Sequence, residues 1–431
     1  MTALPLPSYH IRPSFGWIND PNGMTYAAGQ WHVFFQHNPA APVHNAIHWG
    51  HVTSPDLVTW TEQPVAFGPT SGGPDAFGCW TGVFVPGLER PAVVYSGVAD
   101  DSHQSSVCLR WGGADLLEWS DPLVVAHTPR DAGVEIMRDP YVFDRDGHRW
   151  AIVGAKLLDG DGAVLLFDCD DILSWNYLGV LAAHHDPVFE SLPTIDIWEC
   201  PQLALVGERV ALILSAWRAG RLEEVAWVTG DLESHDSTLS FTAQQAGFLD
   251  TGNAFYAAHV VNTDDASPLL IGWIREDARP DDALPVAGCL SLPRRLVIDG
   301  DGVRCVVHPD VATALPDEDS PERLGPGDHT LPAAGVVYLH GRGRLVGRGG
   351  SVGVGGESVS PGIALADGDT VWVDSAVAEV FPVAATASTW RTQVAWTLHL
   401  PEGSGASVHR IEGQLRERRS DGAALDQGAG K

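Results

Sequence analysis

The feature that most constrains the fold is a short pattern, D-(L/I)-(L/V)-x-W, that recurs along the first half of the chain. Copies begin at Asp56, Asp115 and Asp171, a degraded copy begins at Asp231, and successive copies lie 56 to 60 residues apart. A repeat of this length, built of short strand-like segments between turns, is typical of a four-stranded blade of a β-propeller. Residues 1–297 have room for five such units, which predicts an all-β, five-bladed propeller.

Three acidic residues occupy nearly equivalent positions in this repeat. Asp20, Asp139 and Glu199 precede the aspartate of a following copy by 36, 32 and 32 residues. Because the early part of each blade lines the central channel of a propeller, we expect the three carboxyl groups to converge on the axis. The same offset in the second blade selects Trp80 and Thr81, which we expect at the same end of the channel.

The three acids also lie in stiff local contexts that suit the cleavage of a glycosidic bond. Asp20 and Asp139 each precede a proline, which biases them toward extended conformations. Such cleavage needs one ionised carboxylate and one carboxyl group that still holds its proton. The asparagines on both sides of Asp20 favour its anion, and the apolar surroundings of Glu199 favour its protonated form. The guanidinium of Arg138 predicts that the neighbouring Asp139 stays charged.

The order of these motifs resembles glycoside hydrolase family 32, the β-fructofuranosidases. Matching blocks are WINDPNG at residues 17–23, R-D-P at 138–140 and E-C at 199–200, and the match extends to SLPR at 291–294. The resemblance implies a five-bladed propeller followed by a C-terminal β-sandwich. It implies a retaining double displacement that releases fructose from β-D-fructofuranosides such as sucrose or short fructans.

The resemblance also implies roles for individual residues. Asp20 is expected to be the nucleophile, Glu199 the acid/base, and Asp139 a carboxylate that binds fructose hydroxyls. The expected substrate-binding residues are Trp17, Asn19, Gln36, His44, Trp80, Thr81, Arg138 and Trp273. Two positions depart from the family: His44 replaces a usual tryptophan, and the W-T of residues 80–81 replaces F-S. These departures put substrate preference in doubt but not the reaction.

Two other functions remain open at this stage. A fructosyltransferase would use the same fructosyl-enzyme intermediate and pass fructose to a sugar instead of water. A non-catalytic sugar-binding propeller is the second alternative, and the presence of all three acids weighs against it.

The remainder of the chain differs in composition from the first 297 residues. We predict a linker and first sandwich segment at 298–330, where proline, glycine and acidic residues accumulate. Short alternating segments at 331–415 predict a β-sandwich, shorter than is usual for the family, and the polar residues 416–431 predict a disordered tail.

Charge and cysteine content limit the partners. The formal net charge of −29 repels phosphate backbones and anionic lipid, so nucleic-acid and membrane-surface roles are excluded. The six cysteines show no metal-ligand spacing, and we expect neither a metal nor a cofactor. No signal-like or membrane-spanning apolar run is present, which predicts a cytoplasmic protein with reduced thiols. A sugar substrate is the expected partner, and a homo-oligomer is possible.

Overall fold

The computed structural model is built almost entirely of β-strands. It describes residues 5–192, 195–235, 237–264, 267–276, 284–300, 302–317, 321–347, 362–392, 395–411 and 415–416. Within this part of the chain, no helix is long and apolar enough to cross a bilayer.

The first four blades are antiparallel sheets of four strands that follow the chain order. The first contains β1 (Gly16–Ala27), β2 (Gln30–Asn38), β3 (His48–Ser54) and β4 (Trp60–Glu62). The second contains β5 (Gly78–Phe84), β6 (Ala92–Val98), β7 (Ser105–Trp111) and β8 (Leu123–His127). The third contains β9 (Val134–Arg145), β10 (His148–Leu157), β11 (Gly162–Asp168) and β12 (Asn176–Ala183). The fourth contains β13 (Ile197–Val206), β14 (Arg209–Arg218), β15 (Arg221–His235) and β16 (Thr238–Asp250). Short 3₁₀ helices occupy Arg130–Ala132 and Pro187–Ser191.

The fifth blade extends further along the chain than the sequence predicts. It contains β17 (Phe255–Val261), β18 (Leu269–Ile274), the short strand β20 (Cys289–Leu290), β21 (Arg294–Asp299) and β22 (Gly302–Val307), whereas the short strand β19 (Val286–Ala287) joins the first blade. The predicted boundary at residue 297 is therefore wrong, since it falls inside β21. The hairpin of β21 and β22 supplies the outer strands of this blade, so the propeller ends at Val307.

The five innermost strands close a ring around the channel. Each of β1, β5, β9, β13 and β17 contacts the next, and β17 contacts β1. The strand β19 adds to the inner edge of the first blade by pairing in parallel with β1 at Gly16 and Trp17. The predicted five-bladed propeller is confirmed.

The recurring D-(L/I)-(L/V)-x-W pattern has a local physical cause. In three blades it forms the connection between the third and fourth strands, where the aspartate carboxylate accepts backbone N–H groups two residues on. In the first and third copies the indole N–H of Trp60 and Trp175 donates to the carbonyl of the residue after the aspartate, at 3.2 Å in both. The degraded copy at Asp231 lies inside β15 instead of in a turn.

A β-sandwich follows the propeller, as predicted. After α1 (Pro309–Ala314), its strands are β23 (Glu322–Leu324), β24 (Gly327–Thr330), β25 (Ala334–His340), β26 (Gly343–Val346), β27 (Ile363–Leu365), β28 (Thr370–Asp374), β29 (Val377–Phe381), β30 (Ser388–Arg391), β31 (Thr397–Leu400) and β32 (Gly405–Arg410). One sheet has the order β23-β32-β25-β28-β29-β30 and the other β24-β31-β26-β27. Apolar side chains such as Val337, Leu345 and Leu398 fill the core between them.

The end of the chain returns to the propeller. A final short strand, β33 (Leu415–Arg416), pairs in parallel with β4 on the outer edge of the first blade. Arg416 therefore belongs to a strand and not to the predicted tail, while the other residues of that tail, 417–431, lie outside the described residues.

A fully buried network of charged side chains joins the sandwich to the propeller. His10, from the segment before β1, hydrogen-bonds Asp374 at 2.9 Å through Nδ1 and Glu379 at 2.8 Å through Nε2. Arg294, on β21, donates from Nε to Glu379 at 2.9 Å and from Nη1 to Asp250 at 3.0 Å. Each of these four segments of the chain thus supplies a partner for a buried charge on another segment.

This network predicts how stability changes with pH. Burial alone would lower the pKa of His10, but its hydrogen bonds with Asp374 and Glu379 outweigh burial and raise the pKa to about 9. A raised pKa in the folded state means that the stabilisation is complete below about pH 6.5 and is lost as the pH rises through about 9. We expect the free energy of unfolding of the wild type to fall over this interval and that of His10→Gln to start lower and fall less. Denaturant unfolding at pH 6 to 10 measures this.

The exposed His127 provides the matched control for that experiment. His127→Gln should keep the wild-type dependence on pH, because the His127 side chain is exposed at the surface, where its Nδ1 lies 3.1 Å from Ser106 Oγ. Parallel curves for the wild type and His10→Gln would contradict a charged His10.

Candidate active site

Every inner strand departs from regular pairing at the same end of the channel. The irregularities lie between Ile18 and Pro21, Cys79 and Gly82, Arg138 and Tyr141, Glu199 and Gln202, and Tyr256 and His259. A bulge of this kind turns a side chain away from the direction that the strand's alternation would give it. The predicted residues Asp20, Thr81 and Asp139 all lie inside these bulges, and Glu199 lies at the edge of one.

Asp20 is held by three side chains that donate hydrogen bonds to its carboxylate. Asn19 donates to Oδ1 at 3.2 Å, and Gln36 and Thr81 donate to Oδ2 at 2.8 and 2.5 Å. The segment around Asp20 is part of β1 and not the isolated turn that its asparagines and proline suggest. Asn22 is directed at other groups: in the amide orientation that satisfies both ends, its nitrogen donates to the Pro21 carbonyl at 3.0 Å and its oxygen accepts the Gln36 N–H at 3.2 Å.

Asp139 is fixed by a side-chain hydroxyl of one neighbouring blade and a backbone N–H of the other. Its own N–H donates to Ser96 Oγ at 2.7 Å, and its Oδ2 accepts the N–H of Cys200 at 3.0 Å. Asp139 and Cys200 both adopt a left-handed backbone, with φ of 62° and 47°. The Cys200 thiol lies 3.6 Å from a carboxylate oxygen of Asp139 and 3.6 Å from one of Asp20, so it bridges the two acids.

Glu199 is held by an arginine and a tyrosine. Arg138 Nη1 lies 3.2 Å from Glu199 Oε1, and the Tyr256 hydroxyl donates to Oε2 at 2.8 Å. The guanidinium of Arg138 also lies 5.5 Å from the ring centroid of Trp80, within range of a cation–π interaction. The side chain of Glu199 is 12% exposed, which leaves it accessible from the channel mouth.

Both aspartates are more easily protonated than the sequence predicts. Desolvation raises the pKa of Asp20 to about 6, and its hydrogen bonds from Thr81, Cys200 and Gln36 only partly offset that effect. Desolvation and the charge of Glu199 also raise the pKa of Asp139, in spite of Arg138. Arg138 lowers the pKa of Asp139, as predicted, but does not outweigh burial and Glu199, since its guanidinium is paired with Glu199 in the next blade.

Aromatic rings surround the opening above the three acids. Trp17 lies between His44 and Trp273, with ring centroids 6.1 and 6.0 Å away, and its indole N–H donates to Asn19 at 3.2 Å. His44 also meets the edge of Trp80 at 6.0 Å. Trp80 and Trp273 are largely buried, whereas His44 is exposed. Contacts therefore link all eleven predicted site residues, together with Cys200, into one cluster.

Comparison with known proteins identifies the family. The family model for the glycosyl hydrolases family 32 N-terminal domain matches residues 10–309. The chain belongs to glycosyl hydrolase family 32.

Individual relatives agree with this membership. The raffinose invertase of Escherichia coli is 31% identical over 319 residues, which cover 69% of this chain and 63% of the relative. The sucrose-6-phosphate hydrolase of Zymomonas mobilis is 29% identical over 308 residues, which cover 67% of this chain and 59% of the relative. The chain thus spans about three fifths of the length of these curated relatives.

Solved structures share the complete fold. The GH32 β-fructofuranosidase of Bombyx mori has a TM-score of 0.78 at 22% identity, with 95% of this chain and 94% of that chain covered. The sucrose-6-phosphate hydrolase of Lactobacillus gasseri has the same TM-score at 21% identity, with 95% and 93% covered. These neighbours therefore support the propeller and the sandwich together.

Four contacting residues of this family 32 site were not predicted. Tyr256 lies within a family block but is recognisable only when the fold brings it to Glu199. Ser96 and His103, whose ring lies 5.5 Å from that of Trp80, carry no motif. Cys200 is a buried free thiol, and its sequence context does not reveal the bridge between two aspartates. Among the described residues, no group of three or more His, Cys, Asp or Glu side chains could hold a metal ion.

Because folding raises the pKa of Asp20 and Asp139, we predict that the site lowers the stability of the fold at neutral pH. An acid whose pKa is raised by folding costs stability above its folded pKa, and the cost disappears below its unfolded pKa, near pH 4. Asparagine tolerates the left-handed backbone of Asp139 and keeps an acceptor for the Cys200 N–H. We therefore expect Asp139→Asn to raise the free energy of unfolding at pH 8 by on the order of 1–2 kcal/mol, with the gain vanishing toward pH 4.

A surface aspartate provides the comparison. Asp115→Asn removes a carboxylate from an exposed turn and should not stabilise the protein in the same way. Denaturant unfolding of both variants at several pH values decides the matter. An Asp139→Asn variant less stable than the wild type at pH 8 would contradict the raised pKa.

Proposed function

We propose that the chain is a glycosidase that releases fructose from β-D-fructofuranosides such as sucrose or short fructans. The observation that carries the proposal is the convergence of Asp20, Asp139 and Glu199 from three blades, with Cys200 bridging the two aspartates. The names of its relatives, raffinose invertase and sucrose-6-phosphate hydrolase, support a fructoside substrate.

In the proposed first step, Asp20 attacks the anomeric carbon of the fructosyl unit. The bond from that carbon to the leaving oxygen breaks as the ester to Asp20 forms, and Glu199 gives its proton to the departing oxygen. The donors Gln36 and Thr81 orient the carboxylate of Asp20 through its Oδ2. A pKa of about 6 leaves most of Asp20 ionised at pH 7.

In the proposed second step, water replaces the leaving sugar. Glu199 takes a proton from the water as it attacks the anomeric carbon, which restores Asp20 and gives net retention of configuration. Tyr256 and Arg138 position Glu199 in both steps. Asp139 does not form a bond to the substrate in this scheme but accepts hydrogen bonds from fructose hydroxyls, which suits its rigid backbone.

Product analysis together with two substitutions tests this proposal. We expect the wild type to release β-fructofuranose first, as proton NMR of the early product would show. Asp20→Asn should lower kcat by several orders of magnitude because no nucleophile remains. Glu199→Gln should lower kcat strongly for sucrose and much less for a fructoside with a good leaving group, which needs no protonation.

The results also distinguish the alternatives. Near-wild-type turnover by Asp20→Asn, or release of α-fructofuranose, would refute the double displacement. Kestose and longer products at high sucrose concentration would instead identify a fructosyltransferase. Binding of sucrose without any conversion would favour the non-catalytic sugar-binding protein.

His44 is proposed to border the leaving sugar. The loop that carries it is fixed by Asn38, whose Nδ2 donates to the Val43 carbonyl at 2.8 Å. Desolvation and the charge of His103 lower the pKa of His44, so its imidazole is neutral at pH 7. A neutral imidazole offers the leaving sugar a smaller stacking surface than an indole does.

A tryptophan at this position should improve the use of sucrose. We expect His44→Trp to raise kcat/KM for sucrose severalfold, on the scale of about 1 kcal/mol for an aromatic contact, and to leave the affinity for free fructose nearly unchanged. Steady-state kinetics with sucrose and inhibition by fructose measure both quantities. An unchanged kcat/KM would place the leaving sugar elsewhere, and His127→Trp provides a control for a surface substitution.

The cytoplasmic location and the homo-oligomer remain predictions. The six cysteines are all buried and free, which is compatible with a reducing compartment. A sugar is the partner for which the site is proposed.

A further inference from the structure

A cavity of about 660 Å³ lies at the opposite end of the inner strands from the three acids. It is lined by the later residues of the same strands that carry the site: Met24 on β1, Phe84 on β5, Phe143 on β9, Leu205 on β13 and Val260 on β17. The cavity therefore occupies the second mouth of the channel, which we call the far mouth. Sites for small ligands commonly enclose about 300–1,000 Å³.

The far mouth has a large aromatic side chain in contact with solvent. Tyr26 is 57% exposed, and its ring meets the edge of Trp31 with centroids 5.2 Å apart. Phe84 and Phe143 add further aromatic surface to the lining. Exposed aromatic faces next to one another are well suited to the C–H face of a sugar ring.

Polar side chains lie next to these rings, and hydrogen bonds and an ion pair fix the segments that carry them. Asn262 accepts the Leu205 N–H at 2.8 Å and donates to the hydroxyl of Tyr141 at 3.1 Å, which fixes the loop that continues to Asp264. On another side, Asp144 is paired with Arg149 at 3.2 Å and is about half exposed. Carboxylate oxygens that retain free lone pairs are acceptors for hydroxyl groups.

The interior of the far mouth carries no buried charge that a neutral ligand would have to satisfy. Two buried titratable side chains line its inner part: burial lowers the pKa of His259 to about 3 and raises the pKa of Tyr141, so both are neutral at neutral pH. Met24, Val83 and Val260 provide apolar walls around it. The lining thus combines apolar walls, an aromatic platform and acceptors at the rim.

We propose that the far mouth is a second binding site for a neutral sugar, separate from the candidate active site. The ligand stacks on Tyr26 and Trp31 and donates hydroxyl hydrogen bonds to Asp144 and Asp264 at the rim. The site holds a carbohydrate but performs no chemistry on it, since the three acids lie at the other end of the same strands.

Equilibrium binding of 1-kestose to the Asp20→Asn protein tests the proposal, because this background prevents turnover. Isothermal titration calorimetry should show two binding events, one at each mouth. Adding Tyr26→Ala should weaken one event by about tenfold and leave the other unchanged, and Thr25→Trp, which fills the cavity, should remove the same event. Leu158→Ala, an exposed side chain of blade three, is the control and should change neither.

The outcomes separate this proposal from the proposed function. A single event that disappears with Tyr26→Ala would support the far mouth and count against sugar binding near the acids. A single event that is insensitive to both far-mouth substitutions would overturn the second site while leaving the catalytic proposal intact. The fluorescence of Trp31 provides a further test. If a small quaternary ammonium ion protected this fluorescence from quenching and 1-kestose did not, the cavity would bind a cation, and the proposal of a sugar site would be overturned.

Discussion

The candidate site depends on a break in strand pairing that recurs in all five inner strands. A regular strand alternates its side chains between two faces, and the bulge in each inner strand interrupts that alternation at the same height along the channel. Asp20, Thr81 and Asp139 lie inside the bulges, and Glu199 lies at the edge of its own. The strained φ angles of Asp139 and Cys200 are part of this geometry. Without these irregularities the acids would lie on regular strand faces and would not share hydrogen-bond partners across blades.

The blade architecture could be predicted because one local interaction repeats with the blades. In the three complete copies of the pattern the aspartate closes a turn by accepting a backbone N–H group, and in the first and third the tryptophan donates to that turn, so the pattern marks the same connection in successive blades. The end of the propeller could not be placed in this way. The fifth blade takes its outer strands from a hairpin at 294–307 that lacks the pattern, so a boundary drawn from the repeat came too early.

The position of the acids was predictable from the repeat, but their electrostatics were not. Adjacent residues in a bulged strand face different neighbours. Arg138 therefore pairs with Glu199 in the next blade and not with the adjacent Asp139. Likewise, Asn19 donates to the Asp20 carboxylate, whereas the amide of Asn22 is engaged with the backbone of Pro21 and Gln36. The sequence therefore predicted which acids lie in the site. How Asp139 and Glu199 are held depends on residues that are distant in sequence, namely Ser96, Cys200 and Tyr256.

Two buried groups of carboxylates in this chain respond to burial in opposite ways. At the junction of the domains, burial alone would raise the pKa of Glu379, but Arg294 and His10 outweigh it and lower the pKa. In the channel, desolvation and the charge of Glu199 raise the pKa of Asp20 and Asp139, and Arg138, which is paired with Glu199, does not outweigh them. The first arrangement stabilises the fold, and the second stores an electrostatic cost that a bound sugar and a developing positive charge on it would relieve. The carboxylates are buried in both places, so the difference lies in which of them the cations contact.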